Sequence, residues 1–484
     1  MKNISLKKNF IMNSFLTMSS FIFPLITFPY ISRIIGPSGI GTINFVTSFI
    51  NYFSMVAQLG IPTYGIRACA KVRDNKNELT KVAQELLIIN LITTVISYFG
   101  LGLCLIYIPK FHVEKTLYII ISFSIILTSI GMEWLYKALE QYTYIAVRSI
   151  LFKFIALIAM FMLIHTKEDY VIYGAITIFA ASASNVLNFI NVHKYIGIKP
   201  VGNYNFKRHI RYVMVFFAMT IATTIYTNLD NVMLGFMASD IDVGYYSAAI
   251  KIKSILLSLV TSLGTVLLPR VSYYIEKNRF EDFKRIYEKA FEFVIIIACP
   301  LTIFFILFAK ESIFFLSGNL FEGAIRPMQL IMPTVLIIGL SNITGMQILV
   351  PIGKEKIVLY SEIAGAIVDC VINALMIPKF KACGASIGTL IAELIVLFYQ
   401  VYNLKDHLKT FERKIGYNGI IIGLVLSSSI TIPIKFIGFG CFTTLLIAFI
   451  VFFGIYFLIL LINKETLLVD IFEQISHKYF YEHN

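Results

Sequence analysis

The sequence predicts an all-α polytopic membrane protein of about fourteen spanning helices, and three observations carry that prediction. Of its 484 residues, 58% are hydrophobic and only 14% charged, with a mean hydropathy of +0.79. A soluble domain carries about 25% charged residues, so lipid, not water, must cover most of this surface. Apolar runs of about 20 residues, long enough to cross a bilayer core, recur along the chain. Lys and Arg gather in short clusters between alternate runs, as they do in cytoplasmic loops.

Taken in order, the runs place helices near 10–31, 40–59, 85–108, 117–134, 147–164 and 170–190. After a basic linker they continue near 210–236, 245–267, 291–309, 327–349, 357–377 and 383–402, with a last pair near 417–435 and 438–462. Lys7 and Lys8 precede the first run, but Phe10 to Ile31 is longer than a signal-peptide core and no small-residue cleavage site follows. The first helix is therefore read as retained. With the N-terminus inside, 29 of the 41 Lys and Arg fall in cytoplasmic segments and nine in outer loops. That bias sets the orientation, and an even helix number puts both ends in the cytoplasm.

The expected organisation is a six-helix lobe over 1–195, a second over 196–403, and over 404–484 a final helix pair with a tail. Gly36, Gly39 and Gly41 read as a tight turn between the first two helices. From Arg270 to Lys289, Phe280, Phe283, Ile286 and Tyr287 repeat at helical spacing among basic residues. That pattern predicts an amphipathic helix at the inner membrane surface.

Polar side chains form stripes on the apolar helices. Asn44, Ser48, Asn51 and Gln58 project within about 80° of one another on the second helix at about 100° per residue. Asn13, Thr17, Ser20, Pro24 and Thr27 do so on the first. On the seventh, Thr220, Thr224, Thr227 and Asn231 form a stripe with Asp230 at its edge. On the eighth the stripe is Ser247, Lys251, Ser254, Ser258, Thr261 and Thr265. One stripe alone is explained by hydrogen-bonded helix packing. Stripes on helices one and two and again on seven and eight suggest two halves around a hydrated cavity.

A charge at the centre of a spanning helix costs about 2.5–3.5 kcal/mol on insertion scales, so each calls for a reason. Lys251 lies on its polar stripe and is expected to face the cavity; Asp230 is placed to pair with it or to carry a cation. Glu362, Asp369 and Asn373 share a face of the eleventh helix, as a coupling site or a buried polar contact, and Glu393 of the twelfth follows the same logic. Lys153 and Glu133 read as snorkelling near the inner surface.

The six cysteines are scattered without a CxxC, and the +13 formal charge forms no extended basic face that would suit nucleic acid. There is no GxxxxGK[ST] loop, no HExxH and no Cys/His cluster. No catalytic constellation, metal site or cofactor is expected beyond a coupling ion, H+ or Na+.

The residues also resemble a family. Phe28-Pro29-Tyr30-Ile31-Ser32-Arg33, Ile34-Ile35-Gly36-Pro37, Gly39-Ile40-Gly41 and Phe45 resemble the opening of Wzx-type polysaccharide flippases, of the multidrug/oligosaccharidyl-lipid/polysaccharide exporter superfamily. Leu59-Gly60-Ile61, Tyr64-Gly65 and Arg67 extend the match, as do Asp230-Asn231, Leu234-Gly235 and Gly244 to Ala249. So do Leu268-Pro269-Arg270 and Ile377-Pro378-Lys379 with Gly384-Ala385. Ser38 departs from the pattern, which often has an acidic residue there. An internal repeat agrees with two lobes: Gly41 to Leu59-Gly60 parallels Gly244 to Leu263-Gly264.

The resemblance implies a flippase that carries undecaprenyl-pyrophosphate-linked oligosaccharide from the inner to the outer leaflet of a bacterial plasma membrane, by alternating access, for capsule or O-antigen. It implies membrane lipid as surroundings and a polysaccharide polymerase and chain-length regulator as partners. Lys251, with Arg33 and Arg67 near the cavity mouths, is expected to engage the pyrophosphate. The Asn, Ser and Thr stripes would face the sugars. A cation-coupled multidrug exporter, a flippase of another polyprenyl-linked cell-wall precursor, and a membrane-embedded glycosyltransferase or polymerase are the competing readings. The last lacks the large catalytic loop such enzymes carry.

Overall fold

The computed structural model describes residues 6–277, 279–408, 416–463 and 465, with the side chains of 6–8, 10, 21, 263–270, 272 and 406–408 left out. Much of the polar linker before the last helix pair and nearly all of the tail thus lie outside the described residues, as do the Thr265 side chain and those of Leu263-Gly264 and Leu268-Pro269-Arg270.

Helices follow one another throughout: α1 (Leu6–Gln58), α2 (Ile61–Lys71), α3 (Lys76–Tyr107), α4 (Pro109–Val113), α5 (Lys115–Gly131), α6 (Glu133–Ala138) and α7 (Tyr142–Leu163). Then come α8 (Tyr170–Ile178), α9 (Asn185–Asn191), α10 (Lys207–Met237), α11 (Asp240–Glu276), α12 (Phe280–Leu307) and α13 (Ala309–Ser317). The chain continues with α14 (Ile325–Ile331), α15 (Thr334–Asn342), α16 (Glu355–Phe380), α17 (Ala382–Leu408), α18 (Tyr417–Thr431) and α19 (Cys441–Ile462). Twelve helical runs among the described residues are long and apolar enough to cross a membrane. A further pair, Asn319–Ile331 and Thr334–Leu349, qualifies together but is bent by 44°. The bend falls at Pro333, which lacks the amide proton needed to continue the ladder.

The first run is two antiparallel arms. Its only break is Gly36, at φ 74 and ψ 180, a conformation a β-carbon disfavours. Before it, Lys153 Nζ meets Ser19 and Ser20 while Tyr30 Oη donates to the Ile164 carbonyl, so this arm runs alongside α7. After it, Ser97 Oγ donates to the Phe53 carbonyl and Asn90 Nδ2 to that of Ala57, so the second arm runs against α3. α3 runs against α5, through Tyr98 on Ser122 and Thr94 on Ser129. α5 runs with α8 and α9, through Leu117 at Gly174 and Asn188 on Gly131. α7 runs against them, through Arg148 on Ser184 and Phe152 on Phe179. α7 and α3 are therefore parallel, and the chain reverses at Gly36 as the glycine cluster predicted.

The chain divides into two compact units, Met1–Gly244 and Tyr245–Asn484. In the first, Ile61, Leu79, Val82, Leu86, Leu135 and Val213 form a core where α2, α3, α6 and α10 meet. In the second, α12 carries the last helix pair: Tyr456 Oη donates to the Ile296 carbonyl, and Phe304 and Phe308 pack with Phe452.

The expected surface helix over Arg270–Lys289 is not formed. α11 ends at Glu276 and α12 begins at Phe280, and Phe283 and Tyr287 are buried in line with Ala290 and Val294. The apolar spacing continues in register into the spanning stretch. It is therefore the packed face of a long helix that projects beyond the bilayer, with only Phe280 exposed.

Candidate functional site

Two of the predicted stripes meet. The second arm of α1 lies along α10: Asn231 Nδ2 donates to Ser48 Oγ at 3.1 Å, and Asn51 Nδ2 to Asn228 Oδ1 at 3.0 Å. Towards the arm's end the helices part around a cavity of about 390 Å³, lined by Asn51, Ser54, Met55, Gln58, Gly60, Pro62, Thr63, Thr220, Thr224 and Asn228. Gln58 Nε2 donates to Ser54 Oγ at 3.0 Å and Asn228 Nδ2 to the Thr224 carbonyl at 3.0 Å. The lining holds amides and hydroxyls and no charged side chain. Each amide offers both a donor and an acceptor, the set that matches a hydroxyl-rich neutral solute.

The stripe on α10 is Thr220, Thr224, Asn228 and Asn231. Asn228, four residues after Thr224, takes the place expected for Thr227, whose exposed hydroxyl bonds its own helix at the Thr223 carbonyl. Asn44 is half-buried nearer the Gly36 corner and does not line the cavity. Arg67 is exposed on α2, one turn beyond Thr63. Arg33 is exposed just before Gly36, at the other end of the arm from Gln58 and so about 30 Å away along a helix of 1.5 Å rise. Asp230 is buried on α10 beside the stripe.

The first-helix stripe does not join this cavity. Thr17 and Thr27 bond their own turns, and Ser20 is held by Lys153 Nζ at 2.9 Å. Lys153 stands halfway along α7, about 16 Å from its start, so it lies at mid-membrane depth rather than snorkelling at the surface. Glu133 is likewise no snorkel: it pairs with Lys137 at 2.9 Å and with the buried Arg148 at 2.8 Å. Arg148 also donates to Ser184 and Asn185.

In the second unit Lys251 is half-buried on α11, with Ser254, Ser258 and Thr261 on its stripe, each hydroxyl bonding its own helix. Asp369 and Asn373 are buried where α16 meets α17, and a β-carbon on Gly388 would fall 3.0 Å from Asp369 Oδ1. Glu362, two turns before Asp369 on the same face, is half-buried, and Glu393 is buried on α17. Ser361 and Thr344 bracket Gln400 on the same interface, a buried network that the stripes did not flag.

Sequence reasoning also missed a cluster at the end of the bundle away from Gly36. Glu85 is fully buried and accepts from Arg208 Nε at 3.0 Å, from the Asn205 amide at 2.7 Å and pairs with His209 Nε2 at 2.7 Å. His209 Nδ1 lies 2.9 Å from Tyr64 Oη, and Tyr64 stacks on Tyr212. Glu85 stood at an apolar-run boundary, where a charge draws no notice.

Comparison with known proteins identifies relatives of the chain. The model of the polysaccharide biosynthesis protein family matches residues 6–275, and that of the MatE family matches 216–375. The chain is 25% identical over 397 residues to the "Putative O-antigen transporter" of Escherichia coli (strain K12), covering 81% of this chain and 95% of that one. A solved structure of the lipid II flippase MurJ in an inward closed conformation superposes with a TM-score of 0.70 at 18% identity, over 93% of this chain and 98% of that one. An inward-facing multidrug resistance MATE family transporter of the MOP superfamily gives 0.60 at 14% identity, over 83% and 99%. These two similarities bear on the fold alone.

Proposed function

Since the chain belongs to the polysaccharide biosynthesis protein family, the flippase branch of the multidrug/oligosaccharidyl-lipid/polysaccharide exporter superfamily, we propose that it moves undecaprenyl-pyrophosphate-linked oligosaccharide from the inner to the outer leaflet of a bacterial plasma membrane. The observation that carries this reading is the neutral amide-and-hydroxyl cavity between α1 and α10. Neutral sugars present many hydroxyls and no charge, so Asn51, Gln58, Thr220, Thr224 and Asn228 supply partners of the right kind for them. Lys251 serves the diphosphate, which is charged whatever the sugar. The prenyl chain stays in lipid, where it costs nothing to solvate. The two units alternate access to the cargo, driven by a coupling H+ or Na+, and Asp230, Asp369, Asn373 and Glu393 are the buried polar groups available to it. Both termini face the cytoplasm, and the Gly36 corner faces out.

The MatE match over 216–375 favours a second reading, a drug exporter. A cationic drug calls for a carboxylate, and the described cavity lining has none. Mass spectrometry of lipid-linked oligosaccharides in cells depleted of the protein separates the two. Accumulation of complete undecaprenyl-pyrophosphate repeat units is expected. An unchanged pool with new sensitivity to cationic drugs would favour the exporter.

A further inference from the structure

The two cations of α7 are held differently. Arg148 is buried on the Glu133 carboxylate with Ser184 and Asn185. Lys153, about 16 Å from one end of α7 and about 15 Å from the other, meets hydroxyls: its Nζ donates to Ser19 Oγ at 3.0 Å and to Ser20 Oγ at 2.9 Å. Both hydroxyls give their own protons to the Leu16 carbonyl, so they face the ammonium as acceptors. Among the described residues no carboxylate lies within ion-pair distance of Lys153. The helices that meet there could supply none, because neither α1 nor α7 contains Asp or Glu. An ammonium has three protons to donate and the serines take two, which leaves the third for a ligand. On α7, Val147, Leu151, Phe154 and Ile158 are exposed on the lipid side, and Lys153 stands about 130° round from them. The first arm of α1 has two unlike exposed faces. Phe15, Met18 and Ile22 are exposed on one, and Asn13, Thr17 and Ser20 on the opposite one. In a bilayer the apolar face meets lipid, so the polar face fronts a hydrated space, with Lys153 at its edge.

We propose that Lys153 is a mid-membrane binding site for the diphosphate of a polyprenyl-linked cargo, with Ser19 and Ser20 as its positioning residues. This rests on the flippase reading above and adds a cation that it did not assign. Hydrogen bonding α7 to α1 needs no charge, because a hydroxyl or amide joins spanning helices as well. A charge at mid-depth is costly, and it is accounted for if an anion has to pass it. The hydrocarbon core is about 30 Å thick, so the phosphates of resident lipids stay about 15 Å from its middle. A cargo diphosphate moved from one leaflet to the other must cross that depth. There the third proton of Lys153 replaces water as a charge-assisted donor to a phosphoryl oxygen. Each phosphoryl group of a diphosphate diester carries a negative charge, so Lys153 takes a charge that Lys251 alone would leave over.

Native mass spectrometry of the detergent-purified protein reads this site without transport. Undecaprenyl diphosphate, undecaprenol and phosphatidylglycerol are titrated separately onto the parent chain, Lys153→Met and Lys153→Arg. Lys153→Met should bind undecaprenyl diphosphate at least about ten-fold more weakly than the parent, the loss of one charge-assisted hydrogen bond. Lys153→Arg should restore most of that affinity. Undecaprenol should bind all three equally, which shows that the prenyl contacts and the fold are intact, and so should phosphatidylglycerol. Paired Ser19→Ala and Ser20→Ala changes, milder should Lys153→Met not fold, should weaken diphosphate binding several-fold. Undiminished diphosphate binding in Lys153→Met or in the serine variant would overturn the proposal. So would an equal loss of phosphatidylglycerol, which would mark a site for bilayer headgroups. The probe carries no sugar, so the two readings fail separately. An unchanged lipid pool in depleted cells with the diphosphate site intact would sink only the flippase, and accumulated repeat units with the site absent would sink only Lys153.

Discussion

Gly41 and Gly244 are seated reciprocally. A methyl group on Gly41 would overlap the carbonyl of Asp240, four residues before Gly244, and one on Gly244 would overlap the carbonyl of Pro37, four residues before Gly41. In a two-fold contact, residue i meets j and the counterpart of j meets that of i. The two backbones therefore approach so closely that neither position has room for a side chain.

The first prediction follows from that contact. Gly41→Val cannot be absorbed by a side-chain shift, because the neighbours are backbone. The cost should meet or exceed the range of about 1–3 kcal/mol for overpacking. Thermal unfolding of the detergent-purified variant should fall accordingly, while Ser38→Ala, on an exposed side chain, should not move it.

The cavity makes a different demand. Asn51→Leu removes its hydrogen bond to Asn228, and Asn228→Leu removes that bond together with those to the Thr224 carbonyl and the Thr227 hydroxyl, at about 0.5–1.5 kcal/mol each, yet both also turn polar lining apolar. Both should lower surface polysaccharide export far more than they lower the amount of inserted protein. Quantitative blotting of the membrane fraction beside a glycan assay checks this.

Arg148 is a third case. It is almost fully buried on Glu133, Ser184 and Asn185. Arg148→Met strips Ser184 and Asn185 of a buried donor, while Glu133 is more than a third exposed and keeps Lys137, so the loss should be about 1–3 kcal/mol, below that of a fully buried pair. Glu133→Leu in the same chain should recover part of the loss, whereas simple additivity in the double-mutant cycle would show that the two do not act as a pair.

Lys251→Ala should reduce export without loss of membrane insertion. Full export by that variant would remove Lys251 from the cargo path.

Spans, corner and stripes were legible because each depends on local composition: run length for a helix, Gly36 for a reversal, a period near 100° for the meeting of Asn51 with the α10 stripe. What failed depended on neighbours. Lys153 read as a surface residue until the first arm of α1 put Ser19 and Ser20 against it at mid-depth. Phe283 and Tyr287 gave the right period, but period alone does not say whether lipid or protein covers the face. Glu85 and His209 are far apart in sequence and only the α3–α10 packing joins them.

The claim at the centre is that the chain moves a lipid-linked oligosaccharide between leaflets. The purified protein is reconstituted into vesicles with undecaprenyl-pyrophosphate-linked glycans extracted from its own cells, and glycan oxidation by impermeant periodate is followed over time. Protein-containing vesicles should expose the inner-leaflet fraction to the reagent, and Asn51→Leu vesicles should do so more slowly. An oxidised fraction that stays at the outer-leaflet share, equal to that of protein-free vesicles, would contradict the account.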